Sequence, residues 1–360
     1  MAKHVVVRGE LKADHRRAAA EAVSRGCVVL LPCAQNYLLI SRSEERLRSV
    51  RPARPAAGLT NLGTTDSELT LRLVRDRKEF DALLLTSSAA AVKLADAFLP
   101  GELTLAVNSR AGKISVMMPD SSLIAGLASQ VNDPLFLREI LDCDSGSDLA
   151  KAYADQVDLW LDIGRTRLTP STLVDITGRW PQVRRKGAIP IFDVERVLGS
   201  KVKLGSGVVF TVLFVCTGNT CRSAMAKAIL EHRLPGQRVL VDSAGTSAAP
   251  DMPASDGARR AMQEQGADLE RHRSTLLTAR QIRDADLIIG MESRHRQRVV
   301  ELVPGAESRT LLLSSFAGRA DSEAIYDPIG SSLEVFREVA KIIAEALERV
   351  AQDIEWRLTP

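Results

Sequence analysis

A thiol, a guanidinium and a hydroxyl stand close together in Cys216-Thr217-Gly218-Asn219-Thr220-Cys221-Arg222-Ser223. An apolar, β-forming run at 210–215 leads into this stretch, and helix formers continue from it to about 232. The pattern predicts a strand, a tight turn and a helix N-terminus with a cysteine at its entrance. The first turn of a helix has unpaired N–H groups and the positive end of the macrodipole, so it attracts anions. The same field favours thiolate over thiol, which is what a cysteine nucleophile needs. Arg222, six positions after Cys216, has a planar fork that can hold two oxygens of a phosphoryl group. Ser223 can donate to the sulfur. Gly218 and Asn219 are residue types that tolerate left-handed backbone, the conformation that turns successive N–H groups inward into an anion-binding nest. The chemistry implied is attack of Cys216 on phosphorus, with the N–H groups of residues 217–222 and Arg222 holding the phosphoryl oxygens.

The elements around this stretch alternate. From residue 208 on, strands are expected at 210–215, 238–242, 286–290 and 310–313, with helices at 222–233, 255–266, 279–284, 293–302 and 332–353. Such alternation predicts a four-stranded parallel sheet with helices on both faces, and ligands bind such sheets at the carboxyl ends of the strands. Before residue 200 the pattern is mixed. Strands are expected at 4–7, 27–32, 69–74, 83–85, 103–108, 114–118, 157–162, 171–176 and 182–185, with helices at 14–25, 89–98, 121–131 and 193–198. The segment 41–62 reads as loop, 142–148 as a polar turn, and 199–207 as a linker. The fold class is therefore α/β in two domains, 1–200 and 208–360.

The bulk properties are those of an ordinary soluble chain. At 360 residues it can bury two cores, and a formal charge of +3 selects neither nucleic acid nor membrane as partner. No apolar run reaches the roughly 18–20 residues of a spanning helix, and the N-terminus has no signal-peptide pattern. The five cysteines (Cys27, Cys33, Cys143, Cys216 and Cys221) show neither metal-ligand spacing nor a secreted framework. A cytoplasmic location with reduced thiols is expected, with no metal and no cofactor.

The 216–223 stretch resembles the phosphate-binding loop of the low-molecular-weight protein-tyrosine phosphatases. Asp242-Ser243-Ala244-Gly245-Thr246, His272-Arg273-Ser274 and Asp286 to His295 follow in that family's order. The resemblance implies a metal-independent hydrolase acting on phosphorylated protein side chains through a phosphocysteine on Cys216. It also implies that Asp327, in Tyr326-Asp327-Pro328-Ile329-Gly330, protonates the leaving group and then activates water. Ser243 is expected to brace Asn219, and Ser331 or Ser332 to cap the last helix. His272 and His295 read as structural or surface residues. Cys221 is either a redox partner that spares Cys216 from over-oxidation or a packing residue. Thr217, Gly218, Asn219, Thr220, Cys221, Ser223 and Ile329 complete the substrate site. Thr220 replaces the aliphatic residue usual in the tyrosine phosphatases, and the loop is more similar to that of the bacterial protein-arginine phosphatases. Ile329 departs from the ring-stacking Tyr of the former and from the Phe of the latter. Phosphoarginine is therefore expected slightly ahead of phosphotyrosine.

The first domain is similar to the threonylcarbamoyl-AMP synthases (YrdC-like). Ala97-Phe98-Leu99-Pro100-Gly101, Met118-Pro119-Asp120, 157–164, Ser171-Thr172-Leu173-Val174-Asp175 and Arg185-Lys186-Gly187 carry the likeness. Their catalytic pieces are altered. Pro32-Cys33-Ala34-Gln35-Asn36-Tyr37-Leu38-Leu39 stands where Pro-Thr-(Asp/Glu)-Thr-Val-Tyr-Gly-Leu is usual, no Lys-x-Arg occurs in 41–62, and the Ser-Ala-Asn-x-Ser-Gly stretch has become Cys143-Asp-Ser-Gly-Ser. A degenerate scaffold or regulatory module is expected. Arg51, Arg54, Arg184 and Arg185 are either a relic anion, nucleotide or RNA site or solvated charge. Two other readings stand for the whole chain: a regulatory binding protein, and a bifunctional enzyme retaining tRNA-modification activity. The intact Cys216, Arg222 and Asp327 oppose the first, and the missing Lys-x-Arg opposes the second.

Overall fold

The computed structural model describes residues 3–7, 13–33, 36–52, 70–86, 88–141, 146–164, 169–316 and 324–359. Two compact units divide the chain, Met1–Val208 and Val209–Pro360.

Among the described residues, the first unit is built on an 11-stranded mixed sheet running from the edge strand Lys3–Val6 to the edge strand Lys203–Leu204. Its central strands are covered on both faces. Val29, Leu31, Leu38 and Ile40 pack in one cluster with Ala19, Val23, Ile124 and Leu127 from the helices Ala13–Ser24 and Ser122–Ala128. Their alternate neighbours Val28, Leu30, Tyr37 and Leu39 pack in another, with Leu47 and Tyr153. Burial on both faces explains why the strand Val29–Cys33 reads as a continuous apolar run without alternation.

Several expectations for this unit need correction. The run at 83–85 is no strand. Asp76 caps a helix, Arg77–Leu83, by accepting the Glu79 N–H, and only Leu84 makes an isolated bridge, to Ser109. The segment 41–62 contains a helix, Glu44–Ser49, capped by the Ser43 hydroxyl; its residues 53–62, with Arg54, lie outside the described residues. The polar turn at 142–148 gives way to the helix Gly146–Tyr153, and residues 142–145, with Cys143, are also outside the description. Two strands, Asn36–Ser41 and Leu135–Ile140, were not anticipated. The expected linker at 199–207 is partly sheet: Gly199 ends the preceding helix in a left-handed turn (φ 73°), and Lys203–Leu204 then pairs parallel to Gln182–Arg185.

The second unit contains a four-stranded parallel sheet in the order Val239–Gly245, Phe210–Cys216, Leu287–Gly290, Thr310–Leu312. Phe210–Cys216 is an interior strand, hydrogen-bonded on both sides. Leu213 and Val215 face a core with Ile282, Ile288 and Val299. Val212 and Phe214, pointing the other way, are equally buried. The last helix, Leu333–Leu358, lays Phe336, Val339, Ala340, Ile343, Leu347, Val350 and Ile354 along one stripe. Ser332 occupies its N-cap position, but the hydroxyl makes no capping bond to a helix N–H. Among the described residues, no helix is long and apolar enough to cross a membrane.

Candidate active site

Cys216 is the last residue of the interior strand, and six residues later the helix Arg222–Arg233 begins, with Cys221 at its N-cap. The intervening loop is fixed from outside through its carbonyl groups. The Cys216 carbonyl accepts the Thr246 N–H at 2.9 Å, that of Thr217 the Ser247 N–H at 3.0 Å, and that of Thr220 the Ser255 N–H at 2.9 Å. The Asn219 carbonyl accepts His272 Nε2 at 2.6 Å. Across a trans peptide the carbonyl and the following N–H point in opposite directions. Four outward carbonyls therefore turn the N–H groups of Thr217, Gly218, Thr220 and Cys221 toward the inside of the curl. The fifth, that of Asn219, donates to Cys216 Sγ at 3.2 Å. This is a bowl of donors around a sulfur.

Asn219 holds the curl. It is left-handed (φ 54°), whereas Gly218 is not among the residues with positive φ, contrary to the expectation for both. A left-handed non-glycine residue costs about 1–2 kcal/mol. Here the Asn219 side chain offsets that cost: Nδ2 donates to Ser223 Oγ at 3.0 Å and to Ser243 Oγ at 2.9 Å, and Oδ1 accepts the Thr275 N–H at 2.9 Å. The bond from Asn219 leaves the Ser223 hydroxyl proton free to point at Cys216 Sγ, 2.9 Å away. Gly245 is required beside this loop, because a Cβ there would lie 2.5 Å from the Thr217 carbonyl oxygen and 3.0 Å from the Asn219 nitrogen.

Arg222 is 1% exposed. One terminal nitrogen donates to Glu292 and, at 2.9 Å, to the Ile325 carbonyl; the other donates to Asp327 at 2.5 Å. Its Nε is buried with no partner. Asp327 is thus joined to the loop through the guanidinium, and its own carboxylate accepts the Ile329 N–H at 3.4 Å. Tyr326 and Ile329 are exposed on either side of it. Burial works against the charge on Glu292, but hydrogen bonds from Arg294 and Arg222 outweigh it and hold the carboxyl below its usual range. Glu292 was not singled out from sequence. Its signals were its place, two residues beyond the strand Leu287–Gly290 at the carboxyl edge of the sheet, and its membership of the 286–295 segment.

Both histidines set aside as structural touch the loop. His272 donates to the Asn219 carbonyl as described, with burial pushing its pKa down. His295 is fully buried, with Nε2 3.0 Å from Thr217 Oγ1. Burial, opposed by Glu292 and aided by Arg222 and Arg294, brings its pKa down to about 4. Cys221 lies 3.1 Å from Ser255 Oγ and 3.7 Å from Thr220 Oγ1; burial pushes its thiol up. Of the arginines suggested in the first unit, Arg185 is buried against Glu139 and Ser171 Oγ, and Arg184 lies 3.8 Å from Asp175. Among the described residues no group of His, Cys, Asp and Glu could hold a metal.

A strand-ended cysteine in a bowl of backbone donors, closed by a buried arginine that grips an aspartate, defines the class of cysteine-dependent phosphatases. Comparison with known proteins narrows the class. Residues 211–358 match the family model described as low molecular weight phosphotyrosine protein phosphatase. A protein-arginine-phosphatase of Geobacillus stearothermophilus is 39% identical over 147 residues, 41% of this chain and 97% of that protein. The low molecular weight protein-tyrosine-phosphatase Etp of Escherichia coli (strain K12) is 36% identical over 149 residues, 41% of this chain and 95% of that one. The solved structure of the YwlE arginine phosphatase from Geobacillus stearothermophilus is 38% identical, covering 41% of this chain and 94% of its own, with a TM-score of 0.38. The chain belongs to the low molecular weight phosphotyrosine protein phosphatase family through its second unit, and it is a cysteine-based protein phosphatase.

Proposed function

We propose that the second unit hydrolyses phosphorylated protein side chains through a phosphocysteine on Cys216, with phosphoarginine preferred over phosphotyrosine. The observation that carries this reading is the buried, unpartnered Arg222 Nε at the end of a loop whose sulfur already accepts from Asn219 and lies 2.9 Å from Ser223 Oγ. A buried donor without an acceptor is costly, and a phosphoryl oxygen would satisfy it. In the reaction Cys216 Sγ attacks phosphorus in line, forming the S–P bond as the bond to the leaving nitrogen or oxygen breaks. The bowl N–H groups and Arg222 hold the three remaining oxygens. Asp327 gives its proton to the departing side chain. Its carboxylate then takes a proton from water, whose oxygen displaces sulfur and releases inorganic phosphate.

Two residues support phosphoarginine. Thr220 presents a hydroxyl and a small methyl where a larger aliphatic group would suit an aryl ring, and the exposed Ile329 offers no ring for stacking. Relatives named for arginine and for tyrosine substrates both match this unit. The test compares turnover of phosphoarginine and phosphotyrosine peptides by the purified chain. Faster kcat/KM on phosphoarginine is expected; a clear preference for phosphotyrosine would reverse the assignment.

For the first unit we propose a threonylcarbamoyl-AMP synthase-like fold that no longer performs the synthase reaction, with 1–200 and 208–360 as the functional division. The arrangement of Arg185 supports the loss of activity. Its Nη2, which could hold an anion, donates to Glu139 instead, and its Nε donates to the Ser171 carbonyl at 3.2 Å, while Ser171 donates its N–H and hydroxyl to the same carboxylate at 2.9 and 2.7 Å. A cytoplasmic location goes with this reading, since the described cysteines are free thiols.

A further inference from the structure

We infer that His295 is a positioning residue for the phosphate-binding loop, holding the Thr217 side chain so that the peptide after Thr217 keeps its N–H turned toward the phosphoryl group. The inference rests on the phosphatase reading of that loop.

The histidine is anchored by the strand beside the nucleophile. Gly290 pairs with Val215, and the Met291 N–H continues the ladder to the Val215 carbonyl at 3.1 Å. The helix Ser293–Leu302 begins at once, and the His295 N–H donates to the Glu292 carbonyl at 3.0 Å. Its ring therefore enters the loop from the side opposite the Val239–Gly245 strand, which supplies Thr246 and Ser247. Thr217 is caught between the two. Its carbonyl accepts from Ser247, and its hydroxyl lies 3.0 Å from His295 Nε2. With carbonyl and hydroxyl both held, neither the Thr217 ψ angle nor its χ1 is left to drift, and the direction of the Gly218 N–H follows.

A space-filling role does not account for the imidazole. The ring is wholly buried and its Nδ1 has no partner. A buried unpaired polar atom costs about 1–3 kcal/mol, and an apolar ring would avoid that cost. The charge state also fits the role. The ionisable groups facing the ring are Glu292 and Arg294 from its own helix entrance, Arg222 from the loop helix and Asp327 from the acid loop. Burial keeps it neutral among them, with a pKa near 4. A neutral ring can hold the Thr217 hydroxyl without setting a second cation against Arg222, which the phosphoryl group needs unopposed.

The test is a double-mutant cycle of His295→Phe and Thr217→Val in the full chain, read as kcat, KM and melting temperature with p-nitrophenyl phosphate. His295→Gln, which retains a polar group, is added as the conservative variant. Loss of one such hydrogen bond corresponds to a drop of about tenfold in kcat for each single variant. The double variant should be no slower than the slower single, with KM little changed, and His295→Gln should recover most of what Phe loses. Losses that multiply to about a hundredfold in the double variant, or a fall in melting temperature with kcat intact, would overturn the inference. If the Phe variant does not fold, His295→Leu, which also removes the polar group, takes its place in the cycle with the same two outcomes. A parent chain with no turnover at all would instead strike at the phosphatase reading itself.

Discussion

Asp327 and Thr220 separate two questions that the active site poses, how the bond breaks and which bond it is. Asp327→Asn keeps the size and part of the hydrogen bonding of the side chain but removes its proton. It should lower kcat by about 10²–10⁴, the range for a lost general acid, with the greater loss on the substrate whose leaving group is the more basic. A variant within twofold of the parent would exclude the acid role. Thr220→Ile replaces the hydroxyl with a branched apolar group at the rim. The ratio of kcat/KM for phosphoarginine over that for aryl phosphate should fall; an unchanged ratio would exclude Thr220 as a determinant. The residues behind these predictions were readable from sequence for an uneven set of reasons. Cys216, Asn219, Arg222 and Ser223 act within one local turn, so their spacing carries their geometry. Glu292 and the Ile325 carbonyl reach Arg222 across 70 and 103 positions, and nothing in the local pattern of either segment announces the meeting. The same holds for His295, whose partner Thr217 is 78 positions away. Gly218 misled for the opposite reason: permissive residues do not have to use their freedom, and the left-handed position fell to the Asn whose side chain could be bonded in place.

At the level of elements, the phosphatase loop is held by the strand that follows it in the chain as much as by the strand that leads into it. Gly245 ends that second strand, and the nearest neighbours of a Cβ there would be backbone atoms of Thr217 and Asn219 together with Ala248 Cβ at 2.8 Å. Backbone cannot swing aside as a long side chain can. Gly245→Ala should therefore displace the bowl and lower kcat by about a hundredfold, the effect of a shift near 1 Å at a reacting centre. Full activity in that variant would mean the loop tolerates movement the bonding pattern forbids. Strands and helices of the second unit were legible because strong apolar runs alternate with amphipathic helices. The first unit was harder to read. Asn36–Ser41 begins with a buried Asn and ends with a buried Ser, and Leu135–Ile140 carries Arg138 and Glu139 inside the sheet. Buried polar residues erase the apolar signature of a strand, and only tertiary pairing, such as Glu139 with Arg185, makes their burial tolerable. The short helix Arg77–Leu83 was masked by the leucines at its end, whose β-like run outweighed the Asp76 cap.

Over the whole molecule, two units with separate cores are joined in one chain, and their responses to conditions can be told apart. The folded pKa of His295 lies near 4, below the unfolded value of about 6.5. Between those values the unfolded state binds more protons, so this group's contribution to stability is complete above about pH 6.5 and is lost as the pH falls toward 4. The melting transition that carries the loss of phosphatase activity should drop over that window, and His295→Gln should flatten the drop. Equal slopes in parent and variant would show that the imidazole is not neutral and buried when folded. The first unit makes a separate prediction: with ATP, bicarbonate and threonine the chain should release no pyrophosphate above background, whereas threonine-dependent release would restore a synthase to it. The central claim concerns one sulfur among five cysteines. Rapid acid quench of the Asp327→Asn chain during turnover, followed by peptide mass spectrometry, tests it most directly. Phosphate bound covalently to Cys216, and to no other residue, is the predicted result; phosphate on a different side chain, or turnover with no phosphoenzyme at all, would contradict it.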